Sequence, residues 1–203
     1  MYKRQKHIIF NGNGYDETWI KEATEKRGLL NYRTTPDCMP HLLDNKNVKM
    51  LTSHKVFSEA ELKSRCEIML DNYCKTVLIE ANTMIDMAKT EIAPAISAYV
   101  LELANTASTK KAVDESISCG YETELLKKLS GFEEQISIYA EELEEAVMNL
   151  QDIEDIETKA YGIRDRVLNK MSELRVVCDE AEKVTAKKYW PFPTYGELLF
   201  GVR

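Results

Sequence analysis

The residue types that most often carry chemistry are sparse in this sequence and are spaced without a recognisable pattern. The three histidines, His7, His41 and His54, show no HExxH or other metal-ligand spacing. Five cysteines form no CxxC pair, and none has a basic neighbour at helical spacing that would lower its pKa: Cys38, Cys66, Cys74, Cys119 and Cys178. We therefore interpret the histidines as ordinary core or surface residues and the cysteines as structural thiols.

Two further patterns resemble ligand sites only in part. Gly12 and Gly14 follow a predicted strand, as in a dinucleotide-binding loop, but Glu17 stands where that motif requires its third glycine. A tight turn is the better interpretation. The acidic runs follow the helical pattern and are typical of solvated helix faces: Glu141, Glu142, Glu144, Glu145, Asp152, Glu154, Asp155 and Glu157. The sequence thus predicts no catalytic, cofactor-binding or metal-binding residue.

Composition restricts the classes of partner. The net charge of -7 argues against a nucleic-acid surface, which needs a concentrated basic face. No apolar run approaches the ~20 residues of a membrane span, and the apolar run after the basic N-terminus is too short for a signal peptide. An odd number of unpaired cysteines indicates reduced thiols. We expect a cytoplasmic protein that binds neither nucleic acid nor membrane.

Residues 1–57 read as short elements joined by turns. The pattern predicts a strand over His7–Phe10 and a helix over Glu17–Arg27 that Asp16 caps, because an aspartate oxygen can accept from the free amides of the first turn. A short helix capped by Thr35 follows. Little of this part could fold alone, so we interpret it as the edge of a larger domain.

Residues 58–188 are predicted to be almost entirely helical. Ser58 and Glu61 form a capping box that opens a long helix ending near Thr106, and Pro94 should bend it because proline removes an amide donor. Apolar residues recur at three-to-four spacing, which is typical of a buried stripe. The stripe comprises Leu62, Met69, Tyr73, Val77, Ala81, Met84, Ala88, Ile92, Ile96, Tyr99 and Leu103.

Two further helices should follow after reversals at Cys119–Gly120 and at Asp152–Asp155. Their stripes are Leu125, Leu129, Phe132, Ile136, Tyr139, Leu143, Val147 and Leu150, and then Ile156, Ala160, Ile163, Val167, Met171, Leu174, Cys178 and Ala181. Such spacing has the heptad period, and short links make consecutive helices antiparallel. The fold class is mainly α: a small mixed N-terminal segment and then an antiparallel, coiled-coil-like three-helix bundle. Phe132 and Leu143 are expected to lie in its core.

Residues 189–203 form a separate segment rich in aromatic residues and proline. Tyr189, Trp190, Phe192, Tyr195 and Phe200 offer large apolar areas, and the prolines keep the backbone extended. We predict an anchor that packs back on the N-terminal part of the chain. If part of its receiving surface belongs to sequence outside this chain, some aromatics are exposed and could mediate self-association.

Several blocks together resemble a known family over essentially the whole chain. They are Ile8–Tyr15, Glu22–Asn31, Arg33–Asp37, His54–Phe57, Glu80–Met87 and Lys187–Tyr195. In composition and order they resemble the C-terminal region of type III glutamine synthetases.

This resemblance implies a place in a longer enzyme that makes glutamine from glutamate, ammonia and ATP through a γ-glutamyl phosphate. ATP and two divalent metals, Mg or Mn, would bind upstream of this chain, so no catalytic residue can be carried over and the chain alone is expected to be inactive. Residues 1–57 would be the tail of the catalytic domain, and residues 58–188 a helical extension. Family members assemble as ring-forming oligomers, which implies a role in assembly or regulation.

Two alternatives remain open at this stage. The chain could be a free-standing helical scaffold whose heptad stripes bind a protein partner. A small independent enzyme is the other alternative, but no constellation of residues favours it.

Overall fold

The computed structural model describes residues 9–201, apart from the side chain of Tyr195. The chain divides into two compact units, and the boundary falls after Cys66. Within the described residues every regular element is helical, which confirms the prediction of a mainly α fold.

The first unit consists of short helices and the start of a long one. Helix α1 covers Glu17–Lys21 and continues through a wider π-helical turn, Glu22–Lys26. Helix α2 covers Thr35–Cys38 and continues through a 3₁₀ turn, Met39–Leu43, and α3 covers Asn45–Ser53. The predicted helix over residues 17–27 is therefore present. Helix α3 was not predicted, since its nine residues contain only three apolar ones, Val48, Met50 and Leu51.

Hydrogen bonds satisfy backbone groups at both ends of α1, and the bond at its start is the predicted Asp16 cap. Asp16 accepts a hydrogen bond from the amide of Thr18 at 3.0 Å, which satisfies one of the free donors of the first turn. Gly28 takes a φ of 66°, and the amide of Leu29 donates to the carbonyl of Ala23 at 2.9 Å. Glycine suits this left-handed position because it has no Cβ to clash.

Two details of the first part differ from prediction. Ile9 and Phe10, the described half of the predicted strand, form no strand, and His7 and Ile8 lie outside the described residues. A strand needs a neighbour for its backbone groups; Phe10 instead places its ring 4.3 Å from that of Trp19. The cap of α2 is Thr34 rather than Thr35, because the Thr34 hydroxyl accepts from the amide of Asp37.

The turn that follows α3 contains a residue with an unusual backbone conformation. Lys55 has a φ of 55°, in the left-handed region. The amide of Val56 donates to the carbonyl of Leu51 and that of Lys55 to the carbonyl of Thr52, both at 3.0 Å. This pair of bonds is a Schellman motif, in which glycine is the common residue.

The second unit is built on three long helices. Helix α4 covers Glu59–Asp86, a π-helical turn Met87–Ile92 and Ala93–Val113 without a break. Helix α5 covers Gly120–Gln151. Helix α6 covers Ile156–Gly162, a π-helical turn Ile163–Val167 and Leu168–Glu182, and the short α7 covers Tyr195–Phe200. The middle helix, α5, packs against both α4 and α6.

The start of α4 matches the sequence prediction, and the helix is irregular just before Pro94. The Ser58 amide donates to the Glu61 carboxylate at 2.7 Å and the Glu61 amide to the Ser58 hydroxyl at 3.3 Å, so the predicted capping box is confirmed. Directly before Pro94 the helix widens, and the amide of Ala93 donates to the carbonyl of Ala88, five residues back. This helix also runs to Val113, seven residues beyond the predicted end.

The core of the bundle follows most of the predicted stripes, with errors at Phe132 and in the first half of α4. Leu143 is fully buried, as predicted, whereas Phe132 is only half-buried. Met69 is 47% exposed, and the neighbouring Leu70 is buried in its place. The core side chains missed in α4 are Cys66, Leu70, Cys74 and Ile85. In this half of α4 apolar residues are often adjacent, so spacing alone did not identify the inward face.

Two contacts close the links between the long helices. At the α4–α5 link, Lys110 forms an ion pair with Glu122, which is buried even though it is charged. At the α5–α6 link, Gly162 faces Leu150: a Cβ at residue 162 would lie 2.7 Å from Leu150 Cδ2. The glycine therefore permits a close approach of the two helices. Across residues 9–201, no helix combines the length and the apolar character that crossing a bilayer requires.

Candidate assembly surface of the helical bundle

The aromatic segment, defined here as residues 187–194, is held on the bundle by one carboxylate. The ring of Tyr189 stacks on Tyr99 of α4, with centroids 5.2 Å apart. The Tyr189 hydroxyl donates to the carboxylate of Glu102, and Lys188 Nζ lies 2.6 Å from the same carboxylate. One turn of α4 thus presents both the apolar and the ionic half of the attachment.

The charges in this attachment reinforce each other. The hydrogen bond from Lys188, followed by that from Tyr189, lowers the pKa of Glu102. The same carboxylate raises the pKa of Tyr189, chiefly because it accepts a hydrogen bond from the hydroxyl group. At neutral pH Glu102 is therefore ionised and Tyr189 protonated, which is the state that both hydrogen bonds need.

Trp190 and Phe192 continue from this attachment to a groove in the bundle. Their rings meet edge to face, with centroids 6.2 Å apart. They form one end of a cavity of about 690 Å³ between α4 and α6, which we call the methionine groove. Its other apolar walls are Ile79, Met84, Met87, Met171 and Val176. Ile79 and Val176 are 67% and 58% exposed, so the groove is an open apolar surface.

Helix α7 follows the aromatic segment and begins at a capping box formed by Thr194 and Glu197. The Thr194 amide donates to the Glu197 carboxylate at 2.8 Å, and Lys187 Nζ lies 2.9 Å from that carboxylate. The Thr194 amide first and the Lys187 ammonium second hold the pKa of Glu197 at about 2. Leu198, Leu199 and Phe200 follow and are 65%, 71% and 80% exposed.

A second open groove lies further along α4. It has a volume of about 670 Å³, and Leu101, Val113, Ile117 and Tyr189 supply its apolar part. Thr106 and Thr109 line it as well. It is a shallower and more polar surface than the methionine groove, because hydroxyl groups interrupt its apolar wall.

Three carboxylates of the acidic runs singled out in the sequence make structural contacts in the bundle. Glu142 of α5 pairs with Lys170 of α6 at 2.7 Å, and Glu144 of α5 pairs with Lys89 of α4 at 2.5 Å. Asp155 caps α6 by accepting from the amide of Thr158 at 2.8 Å. These carboxylates lie on half-buried or exposed faces and connect neighbouring helices.

The cysteines are separate free thiols. Cys66, Cys74, Cys119 and Cys178 are buried, and Cys38 is exposed. Burial raises the pKa of Cys74, and it raises the pKa of Cys178 to about 11. A thiol with a raised pKa is mostly protonated near neutral pH and is a poor nucleophile, so neither side chain has the electrostatics of a catalytic cysteine.

The glycines and histidines considered in the sequence do not come together in one site among the described residues. Gly12 and Gly14 belong to the turn before α1, in which the Asp16 amide donates to the carbonyl of Asn13 at 3.2 Å. His41 stacks on Tyr32 with centroids 4.3 Å apart and lies 3.0 Å from Asp44. His54 ends α3, and His7 lies outside the described residues.

The described residues do not provide a donor set for a divalent metal. No group of three or more histidine, cysteine, aspartate or glutamate side chains between residues 9 and 201 could hold such an ion. The turn at Gly12 and Gly14 also lacks the third glycine of a dinucleotide loop. We therefore derive no step through ATP or a metal from this part of the chain.

Sequence reasoning missed the residue that organises this surface. Glu102 lies 86 positions from Lys188 and 87 from Tyr189, so no local spacing links them. The aromatic composition of residues 187–194 was the only signal. It indicated an anchor, which we predicted to pack on the N-terminal part of the chain, and it did not point to Glu102.

Comparisons with known proteins agree on one family. A family model described as glutamine synthetase C-terminal domain matches residues 1–111. A glutamine synthetase of Butyrivibrio fibrisolvens is 37% identical over 199 residues, which are 98% of this chain and 28% of that relative. A type-3 glutamine synthetase of Dictyostelium discoideum and a glutamine synthetase of Bacteroides fragilis are each 29% identical over 197 residues, 95% of this chain and 27% of the relative. The chain thus spans little more than a quarter of the length of these relatives.

Proposed function

Because this chain belongs to the glutamine synthetase C-terminal domain family, we propose that it is the non-catalytic C-terminal region of a type III glutamine synthetase and that it helps to assemble that enzyme. The whole enzyme would be a glutamate–ammonia ligase that uses ATP and divalent metals bound upstream. The observation that carries the proposal is the match of 98% of this chain to 28% of a protein named glutamine synthetase.

The placement of the reactive side chains supports a structural role. The prominent carboxylates form ion pairs between helices or cap a helix, and Cys66, Cys74, Cys119 and Cys178 are buried. Buried apolar side chains hold α4, α5 and α6 together. A rigid bundle of this kind offers surfaces for other subunits.

Exposed apolar side chains in the first unit support a neighbouring domain as its partner. Leu29, Leu30 and Val56 are all exposed, although each is large and apolar. Leu29 and Leu30 follow α1, and Val56 follows α3. Large apolar side chains exposed in this way suit a surface that another part of the protein covers. We propose that the upstream catalytic region covers them and that residues 1–57 are its tail.

A hybrid enzyme would test this function. The part of the Butyrivibrio fibrisolvens enzyme that this chain matches is removed, and this chain is put in its place or added as a separate polypeptide. Molar mass by light scattering and glutamine formation are measured for the intact, truncated and hybrid enzymes. We expect truncation to reduce the assembled mass and the activity, and the hybrid or the added chain to restore both.

A matched pair of variants distinguishes a requirement for the folded bundle from a general effect of mutation. Leu143→Asp places a charge in the core of α5, whereas Ile138→Asp changes an exposed position of the same helix. The first variant should abolish the restoration and the second should leave it. Glutamine formation by the isolated chain would contradict the assignment of catalysis to the upstream region.

The scaffold alternative predicts another result. A truncated relative with the mass and activity of the intact enzyme would contradict a role in assembly. A folded chain without effect on the relative, in either arrangement, would then favour a free-standing helical scaffold.

A further inference from the structure

We propose that two copies of this chain associate by exchange of α7, so that Leu198, Leu199 and Phe200 of each copy fill the methionine groove of the other. The proposal concerns the chain itself and does not depend on the proposed function. This single contact would cover two exposed apolar surfaces, those of α7 and of the methionine groove.

The apolar side chains of α7 are distributed around the helix in a way that fits a concave partner surface better than a flat one. Successive residues of an α-helix are about 100° apart, so three consecutive apolar side chains project over about 200° of the helix surface. A flat surface would cover only part of this arc. The methionine groove has walls on α4 and on α6 and a volume of about 690 Å³, within the range of about 300–1,000 Å³ typical of apolar ligand sites.

The chemistry of the groove suits an apolar helix. Met84, Met87 and Met171 supply flexible thioether side chains that adapt to an inserted group. Ile79 and Val176 are the exposed edges that a partner would cover. Glu80, Glu182 and the ion pair between Arg175 and Asp179 also line the groove. Glu197 of α7 is already paired with Lys187, so α7 brings no uncompensated negative charge from this side chain.

The chain does not cover α7 with its own groove. Glu197 is held by Lys187 and by the Thr194 amide, and Trp190 and Phe192 already form one end of the groove. The three apolar side chains of α7 remain 65% to 80% exposed. A second copy presents the same groove to them without this connection.

The expected area is sufficient for a stable contact. Burial of Phe200 removes about 150–250 Å² from water, and with the two leucines α7 would lose on the order of 400 Å². The groove would lose about half as much, on the order of 200 Å². A two-fold exchange makes the contact twice, because each copy contributes one α7 and one groove. The total is about 1,200 Å², the lower limit of the standard size of a specific interface.

Sedimentation equilibrium of the whole chain tests the proposal directly. We expect a dimer with a dissociation constant on the order of micromolar. Leu199→Glu alters α7 and Val176→Lys alters the groove, and both positions are exposed, so the fold should persist with an unchanged circular dichroism spectrum. Each variant alone should weaken the dimer at least about 30-fold, which corresponds to about 2 kcal/mol.

Rescue and a matched control make the test specific. Leu199→Glu and Val176→Lys bring opposite charges to the same contact, so a chain that carries both should dimerise more tightly than either single variant. Leu101→Glu changes an exposed leucine of the other groove and should leave the dimer intact. A monomer at every concentration, a dimer unaffected by either single variant, or equal loss with Leu101→Glu would each overturn the proposal.

Discussion

The close approach of α5 and α6 makes a quantitative prediction about two glycines. Gly162 and Gly131 both lie within helices, and replacing a helical glycine by alanine gains about 1 kcal/mol of stability where space permits. A Cβ at Gly131 would meet no atom within 4 Å. We therefore expect Gly131→Ala to raise the free energy of unfolding by about 1 kcal/mol.

Gly162→Ala should behave differently. Its Cβ would lie 2.7 Å from Leu150 Cδ2, well inside the ~3.5–4.0 Å of an optimal carbon contact. Leu150 is almost fully buried and cannot turn away without disturbing the core. Overpacking of this kind costs about 1–3 kcal/mol, which offsets the gain in helix propensity or exceeds it. The two alanine variants should therefore differ by about 1–3 kcal/mol.

Equilibrium unfolding in urea, followed by circular dichroism, measures this difference. In a Leu150→Ala background the clash is removed, so Gly162→Ala should then stabilise the protein as Gly131→Ala does. Equal stabilisation by the two glycine replacements in the wild-type background would refute the close contact. A penalty at Gly162 that persists without the Leu150 side chain would also refute it.

Three further predictions concern the core, a helix end and a carboxylate. Leu143→Ala should cost about 2–5 kcal/mol in urea unfolding because Leu143 is fully buried, and half-buried Phe132→Ala should cost less; an equal cost would contradict their different burial. Lys55→Gly should stabilise the chain by up to about 1 kcal/mol in thermal unfolding, because Lys55 has a left-handed φ; destabilisation would count against this explanation. Glu197 should titrate near pH 2 in a carbon-13 NMR experiment, whereas its ordinary pKa is 4.5. Since folding lowers this pKa, the contribution of the carboxylate is present above about pH 4.5 and is lost as the pH falls towards 2; a midpoint near 4.5 would mean that the Thr194 and Lys187 contacts do not form in solution.

Local sequence signals predicted helix boundaries well where a side chain bonds its own backbone. Asp16, Ser58 and Glu61 form the expected caps, because each capping bond joins residues only two or three positions apart. The link predicted at residues 152–155 separates α5 from α6, whereas the first link lies at residues 114–119 and Gly120 already belongs to α5. The error at Thr34 and Thr35 arose because both residues can act as caps.

The inward face of α4 was harder to predict. Met69 and Leu70 are adjacent and both apolar, so either fits a three-to-four pattern. In the folded chain Leu70 is buried and Met69 is exposed. Beyond the wide turn at Met87–Ile92 the predicted stripe is correct, because Ile96, Tyr99 and Leu103 are all buried.

The sequence by itself determined the helical fold, the capping box at Ser58 and Glu61, and the family resemblance, because these depend on short-range spacing and on blocks of residues in order. Tertiary structure decided that Glu102 receives Lys188 and Tyr189, that Glu122 is buried beside Lys110, and that Leu198, Leu199 and Phe200 remain exposed. Glu102 is far in the sequence from Lys188 and Tyr189, and Glu122 lies across the α4–α5 link from Lys110. They become neighbours only when the helices pack, because burial of apolar surface fixes which faces meet.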